Sequence, residues 1–344
     1  MPKVASDFTG LFPTMDLSRR GFVVTTLAAG FAMTVQPVAA STITTDTDNL
    51  IAGEVKIPTK DGTIPAYRAQ PVGSGPYPTI LVVEEIFGVH EHIKDMCRRF
   101  AKLGYLAIAP ELYSRLGNVV AMTDIKEVMA VVNKAPDATC FADLDATVAW
   151  AAKNRGDVKR LGITGWCRGG RMVWMYATHN HNLKAAVAWY GPLVGTPTPE
   201  MPTNPVDVAG QVKIPVLGLY GGLDQGILAD HVALMRQKLA EAGNTKSQIV
   251  VYPDAPHGFN ADYRPSYVEA DAKDGMSRCV AWLRANGVGC ATHFAIPAQA
   301  GMATVVVTST SHTRSAPAPG RLPWPEWSRL FPDSPRGTWT PRAS

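Results

Sequence analysis

The chain has 344 residues, 46% of them hydrophobic and 18% charged, with a formal net charge of +4. That length excludes a peptide or a disulfide mini-protein, and the apolar share excludes wholesale disorder. A surplus of base with a pI near 8.7 would suit a nucleic-acid partner, but residues 1–40 carry +1 and 291–344 carry +3, which leaves 41–290 neutral. No nucleic-acid partner is expected.

The N-terminus reads Ser18-Arg19-Arg20-Gly21-Phe22, then an apolar stretch over 22–35, then Pro37-Val38-Ala39-Ala40. A basic start, a short apolar segment and small residues before a cleavage point make an export signal. The paired arginines resemble the twin-arginine signal, which engages the machinery that carries folded proteins across the bacterial inner membrane. Residues 1–40 are therefore expected to be removed, with Ser41 opening a periplasmic or secreted protein. The apolar stretch falls short of the ~20 residues that span a bilayer, so no stable membrane span is expected.

From 41 to 290 apolar runs alternate with amphipathic stretches of helical length. Strands are predicted over 53–57, 65–69, 79–84, 105–109, 160–164, 185–189, 216–220 and 248–252. Helices are predicted over 91–103, 124–133, 139–154, 168–179, 227–242 and 265–286. The first two strands, with Asp61-Gly62 between them, read as a hairpin. Runs such as Ile80-Leu81-Val82-Val83 and Val187-Ala188-Trp189 suit strands buried on both faces of a parallel sheet. Such alternation predicts one α/β domain, a mostly parallel central sheet with helices on both faces. Residues 291–344 are different. Over 311–344 they are rich in Pro, Gly, Ser, Thr and Arg, include Trp324, Trp327 and Trp339 and show no helical or strand period, and 291–344 reads as a disordered tail.

Leu161-Gly162-Ile163-Thr164-Gly165-Trp166-Cys167-Arg168-Gly169-Gly170 is a strand, a G-x-C-x-G turn and a helix start. A nucleophile on a sharp strand-to-helix turn needs small neighbours two residues either side. The helix that follows offers free N–H groups and a positive dipole end, which favour a thiolate. Taken alone, the motif would equally fit a structural cysteine in a glycine-rich turn. Its context decides: Asp224 follows the strand over 216–220, and His257 follows the strand over 248–252. Nucleophile, acid and histidine in that order, each just past a strand, is the order of the α/β-hydrolases.

Val83-Glu84-Glu85-Ile86-Phe87-Gly88, Pro110-Glu111-Leu112-Tyr113 and Gly165-Trp166-Cys167-Arg168-Gly169-Gly170 resemble the dienelactone hydrolase (carboxymethylenebutenolidase) family over roughly 51–287. The resemblance implies an α/β-hydrolase fold and hydrolysis of a small-molecule ester or lactone through a thioester on Cys167. It implies Asp224 and His257 as that cysteine's partners, Glu85 as a base that helps take the thiol proton when substrate binds, and the backbone N–H groups of Ile86 and Arg168 as the oxyanion hole. One departure concerns the substrate. The family's pocket uses arginines to hold a carboxylate, one of them four residues after the histidine, and that position is Ala261 here. Arg264 is the nearest replacement, and Tyr113 and Trp166 are candidate pocket walls.

The pairs His90/His92 and His179/His181 lack the Cys or acidic partners of a zinc site, and residues two apart on a helix diverge. No metal is expected. Neither G-x-G-x-x-G nor a Gly-Lys-Ser element occurs, so no nucleotide cofactor is implied. Cys97, Cys140, Cys279 and Cys290 show no framework spacing and are expected mostly as free, buried thiols. A rival from another class is a periplasmic binding or thiol-sensing protein that keeps Cys167 as a redox centre.

Overall fold

The computed structural model of the protein describes residues 43–289. The expected export signal, Cys290 and the 291–344 tail lie outside the described residues. Strands β1 (Leu50–Thr59) and β2 (Gly62–Pro71) form the antiparallel hairpin, with Thr59 opposite Gly62. Asp61 tightens its turn by accepting a hydrogen bond from the Thr59 hydroxyl at 2.8 Å.

The remaining strands are β3 (Tyr77–Val83), β4 (Leu106–Pro110), β5 (Gly156–Trp166), β6 (Ala185–Trp189), β7 (Val216–Gly221) and β8 (Gln248–Tyr252). They form one sheet in the order β1-β2-β4-β3-β5-β6-β7-β8. From β4 onward every pairing is parallel, while β2 joins β4 antiparallel. Every residue of β3, β4, β6 and β7 is buried. That is why these strands are continuous apolar runs rather than alternating ones.

The helices are α1 (Glu91–Lys102), α2 (Ile125–Val132), α3 (Asp137–Lys153), α4 (Arg168–His179), α5 (Pro205–Val208), α6 (Ala229–Glu241) and α7 (Glu269–Ala285). All eight predicted strands and six predicted helices are present. The short α5 and the 3-10 turns Val119–Ala121 and Ala209–Gln211 have too few residues to show a period. At α5, Asn204 and Asp207 form a reciprocal capping box.

The last helix differs from its prediction over 265–286, because 265–268 fold into turns instead. The Tyr267 N–H donates to the Arg264 carbonyl at 3.1 Å and the Val268 N–H reaches back to Phe259 at 3.0 Å. Pro265 disfavours helical geometry at the residue before it, and the turns fold the segment over the loop that carries His257.

Parallel strands all end at one edge of the sheet, and the loops after β3, β4, β5, β7 and β8 carry Glu84–Glu85, Glu111–Tyr113, Cys167, Asp224 and His257. A tight contact closes that edge. A Cβ on Gly169, in the first turn of α4, would lie 2.4 Å from the Glu84 carbonyl oxygen and 2.5 Å from that of Val83. Gly169→Ala must push α4 off β3 and should cost about 2 kcal/mol, by analogy with overpacked cores. Urea unfolding followed by circular dichroism tests this; an unchanged midpoint would refute the tight contact.

Candidate active site

Cys167 sits between β5 and α4 with φ 53° and ψ −120°, a conformation rare for a side-chain-bearing residue. Its backbone N–H donates to the Trp189 carbonyl at 3.0 Å, and its carbonyl accepts from the Arg171 N–H at 3.1 Å. A Cβ on Gly165 would meet the Gly169 carbonyl oxygen at 2.6 Å and the Val83 Cβ at 2.8 Å. The glycines of the G-x-C-x-G motif are therefore spaces into which neighbouring backbone fits. Among the described residues, the N–H groups of Ile86 and Arg168 have no backbone acceptor. They belong to the two segments that the Gly169 contact presses together.

His257 and Asp224 meet as the sequence order suggested. His257 Nδ1 lies 2.7 Å from Asp224 Oδ2, and both side chains are fully buried. The other Asp224 oxygen accepts from the N–H groups of Gly226 at 2.8 Å and Ile227 at 2.9 Å, which fixes the carboxylate's direction. Burial works against charge on His257. Asp224 and the neighbouring Cys167 sulfur outweigh it, and the ring's pKa is pushed up to about 10. Tyr190 packs edge-on against the same ring at 5.0 Å.

Glu85 is fully buried and held by three groups. The Tyr263 hydroxyl donates to its Oε2, Arg264 Nη2 lies 3.4 Å from its Oε1, and His90 Nε2 lies 3.5 Å from Oε2. Burial disfavours the carboxylate, but Arg264 and His90 overcome it and hold the carboxyl well below its usual range. Arg264 does reach back from beyond His257. It bonds to the Tyr263 hydroxyl at 2.9 Å and lies over the Phe87 ring at 5.1 Å. Sequence reasoning missed Tyr263, which bears no motif, and it misjudged His90. His90 is the extended residue that precedes α1 rather than part of the helix. Its ring therefore stacks near His92 at 6.1 Å instead of diverging. His92 is bonded to Asp262 at 3.0 Å, and Arg99 also pairs with Asp262.

The remaining sequence candidates have other surroundings. Trp166 is completely buried, donates to Asn260 Oδ1 at 2.8 Å and stacks on Trp189 at 5.9 Å, so it packs in the core. Tyr113 is also buried, and burial raises its pKa, with Arg168, Glu84 and Cys167 close enough to act on it. His179 is bonded to Asp145 at 2.8 Å on the surface. Cys97, Cys140, Cys167 and Cys279 are free and buried; burial pushes the thiols of Cys140 and Cys279 up to about 12, which disfavours their thiolates. Among the described residues no group of three or more His, Cys, Asp or Glu could hold a metal, and no helix is long and apolar enough to cross a membrane.

Glu84 turns the other way from Glu85, as successive residues at a strand end do. Its Oε1 accepts from the Leu112 N–H at 2.9 Å, and Glu111, the acid after β4, accepts from the Val89 N–H at 3.2 Å. Burial and then the Glu111 charge push the Glu84 pKa well above the ordinary range, so Glu84 holds a proton that an unfolded glutamate releases near pH ~4.3. At this position the fold binds a proton that the unfolded chain releases, so the contribution of Glu84 to stability falls as pH rises above the carboxylate range. Glu84→Gln keeps the shape and removes the titration. Its urea midpoint relative to the unsubstituted protein should rise from about pH 5 to about pH 8; a constant difference would show that Glu84 is not held protonated.

Comparison with known proteins agrees with this geometry. Residues 64–287 match the Dienelactone hydrolase family. A Methylorubrum extorquens protein provisionally named carboxymethylenebutenolidase is 57% identical over 286 residues, covering 82% of this chain and 98% of that one. An Escherichia coli K12 protein with the same provisional name is 51% identical over 267 residues, or 77% of this chain and 98% of its own. The crystal structure of a provisionally named dienelactone hydrolase from Klebsiella pneumoniae is 54% identical. It superposes with a TM-score of 0.67 and covers 68% of this chain and 98% of that chain. With its α/β-hydrolase sheet, its cysteine elbow and this kinship, the chain belongs to the dienelactone hydrolase family, hydrolases that act on lactone and ester bonds.

Proposed function

We propose that the protein hydrolyses esters or lactones through a Cys167–His257–Asp224 triad and a thioester intermediate. The observation that carries this reading is the 2.7 Å bond between His257 and Asp224, together with the electrostatic influence of Cys167 on the same ring. Asp224 favours a proton on the His257 ring and raises its pKa, which suits the ring to act as an acid before it acts as a base.

Glu85 supplies the complementary group. Without substrate its charge is satisfied by Arg264, Tyr263 and His90, and so tightly held a carboxylate is a weak base. Substrate that loosens those contacts frees Glu85 to take the Cys167 proton. The sulfur then bonds to the carbonyl carbon, and the electron pair moves to the carbonyl oxygen, held by the N–H groups of Ile86 and Arg168. One such donor is typically worth ~3 kcal/mol in the transition state. Collapse breaks the C–O bond, and the departing alkoxide or enolate takes the His257 proton. Water attacks the thioester while neutral His257 accepts its proton. The second collapse releases the acid, and Glu85 returns its proton to the sulfur.

Cys167→Ala should lower kcat/KM for p-nitrophenyl acetate by roughly 10³-fold or more, and Asp224→Asn by a comparable factor, with unchanged circular dichroism. Quenching turnover in acid should trap an acyl group on the peptide that contains Cys167. Activity indifferent to Cys167→Ala would refute the mechanism.

Export belongs to the same proposal: residues 1–40 direct the chain to the twin-arginine route and are cleaved before Ser41. Mass spectrometry of protein from a bacterial periplasm should find Ser41 as the first residue. Arg19→Lys with Arg20→Lys should leave an uncleaved protein in the cytoplasm, and periplasmic delivery of that double variant would refute the route.

A further inference from the structure

Beside the loop that follows β3 lies a cavity of about 310 Å³ lined by Phe87, His90, Val119, Val120, Met122, Thr123, Ile125 and Val128. Its walls are the 3-10 turn Val119–Ala121, helix α2 and the stretch just after Ile86. Phe87 is the residue next to Ile86, and its ring also packs against the Arg264 guanidinium at 5.1 Å. His90 is shared in the same way, lining the cavity while its Nε2 faces Glu85. The cavity and the Glu85 cluster thus have Phe87 and His90 as a common wall.

The lining is hydrocarbon except for His90 and Thr123, and it includes no lysine or arginine. Basic side chains on adjoining segments are engaged elsewhere or face away. Arg264 is committed to Glu85 and Tyr263, Arg115 to Asp61 and Asp143, and Lys126 of α2 is exposed. His90 is only 5% exposed and its Nδ1 has no hydrogen-bond partner. Burial lowers its pKa despite Glu85, so the ring meets the cavity as a neutral hydrogen-bonding group. A carboxylate placed here would lose its hydration and find no cation.

We infer that this cavity is a specificity subsite for the uncharged, apolar part of the substrate, and that the protein prefers neutral esters or lactones with a hydrocarbon arm to substrates that carry a carboxylate. The inference rests on the hydrolase reading above. It differs from the carboxylate-bearing substrates that the family resemblance alone implies, and it assigns the selection to Val119, Val120, Met122 and Val128. Val120 is 46% exposed at the cavity's edge, so it can be changed without disturbing the core.

The test compares kcat/KM for p-nitrophenyl acetate, p-nitrophenyl hexanoate and mono-p-nitrophenyl adipate, with Cys167→Ala as control. Each methylene buried is worth roughly fourfold at most, so hexanoate should exceed acetate by about tenfold or more even if only half its chain enters the cavity. It should exceed adipate, its carboxylate-bearing counterpart of equal chain length, by a similar factor. Val120→Trp, which fills the edge, should shrink the hexanoate-to-acetate ratio. Val120→Arg, which adds a cation, should raise the adipate-to-hexanoate ratio, and circular dichroism verifies that both variants are folded. A flat series, a preference for adipate, or a hexanoate preference untouched by both Val120 variants overturns the subsite while leaving the hydrolase reading intact. If no ester is hydrolysed in a Cys167-dependent way, the hydrolase reading falls, and the subsite with it.

Discussion

The approach of α4 to the end of β3 is the constraint on which the site depends. Backbone meets backbone there at a separation that excludes even a methyl group at Gly169 or Gly165. That contact sets the strained turn at Cys167 and brings the Arg168 N–H toward the segment that carries Ile86. It also brings the charged loop after β3 under the loop that carries His257. Because the sheet is parallel from β4 to β8, every loop that bears chemistry leaves the same edge. The twist and register of the strands do the rest.

A second constraint is charge without water. Glu85, Arg264, His257 and Asp224 are all buried, and isolated ions there would be very costly. The solution is mutual: Glu85 is shared by Arg264, Tyr263 and His90, and His257 by Asp224 and Cys167. Each pairing also restrains reactivity. The Glu85 carboxylate is least basic when its partners are in place. Next door, the Glu84–Glu111 pair manages two acids by keeping a proton instead of recruiting a cation. Two adjacent glutamates therefore have opposite pKa shifts, and the difference lies wholly in which side of the strand end each one faces.

Much of this was legible in the sequence, and the reasons are particular. β3 and β6 are unmixed apolar runs because both their faces are covered. Gly165-x-Cys167-x-Gly169 advertises an elbow because its glycines are sterically obligatory. Asp224 and His257 stood out because each follows a recognisable strand. Tyr263 and His90 carried no such signal. Tyr263 lies just before the helix predicted over 265–286, in a turn closed by the Arg264 N–H on the Ala261 carbonyl, and its hydroxyl reaches Glu85 from there. The helix predicted over 91–103 starts where it should, but His90, the residue before it, is expected from the sequence to diverge from His92 as a helical residue would; an extended residue projects its side chain differently.

The sequence by itself determined the order of strands and helices along the chain, the glycine-flanked cysteine turn and the family, because these depend on local periodicity and on residues whose spacing is sterically dictated. Only the tertiary structure decided the pairing of Arg264 with Glu85, the raised pKa of Glu84 and the apolar cavity beside the Phe87–His90 wall. Those properties come from segments far apart in the chain, and electrostatic and packing energies depend on distances across the fold that no local pattern records.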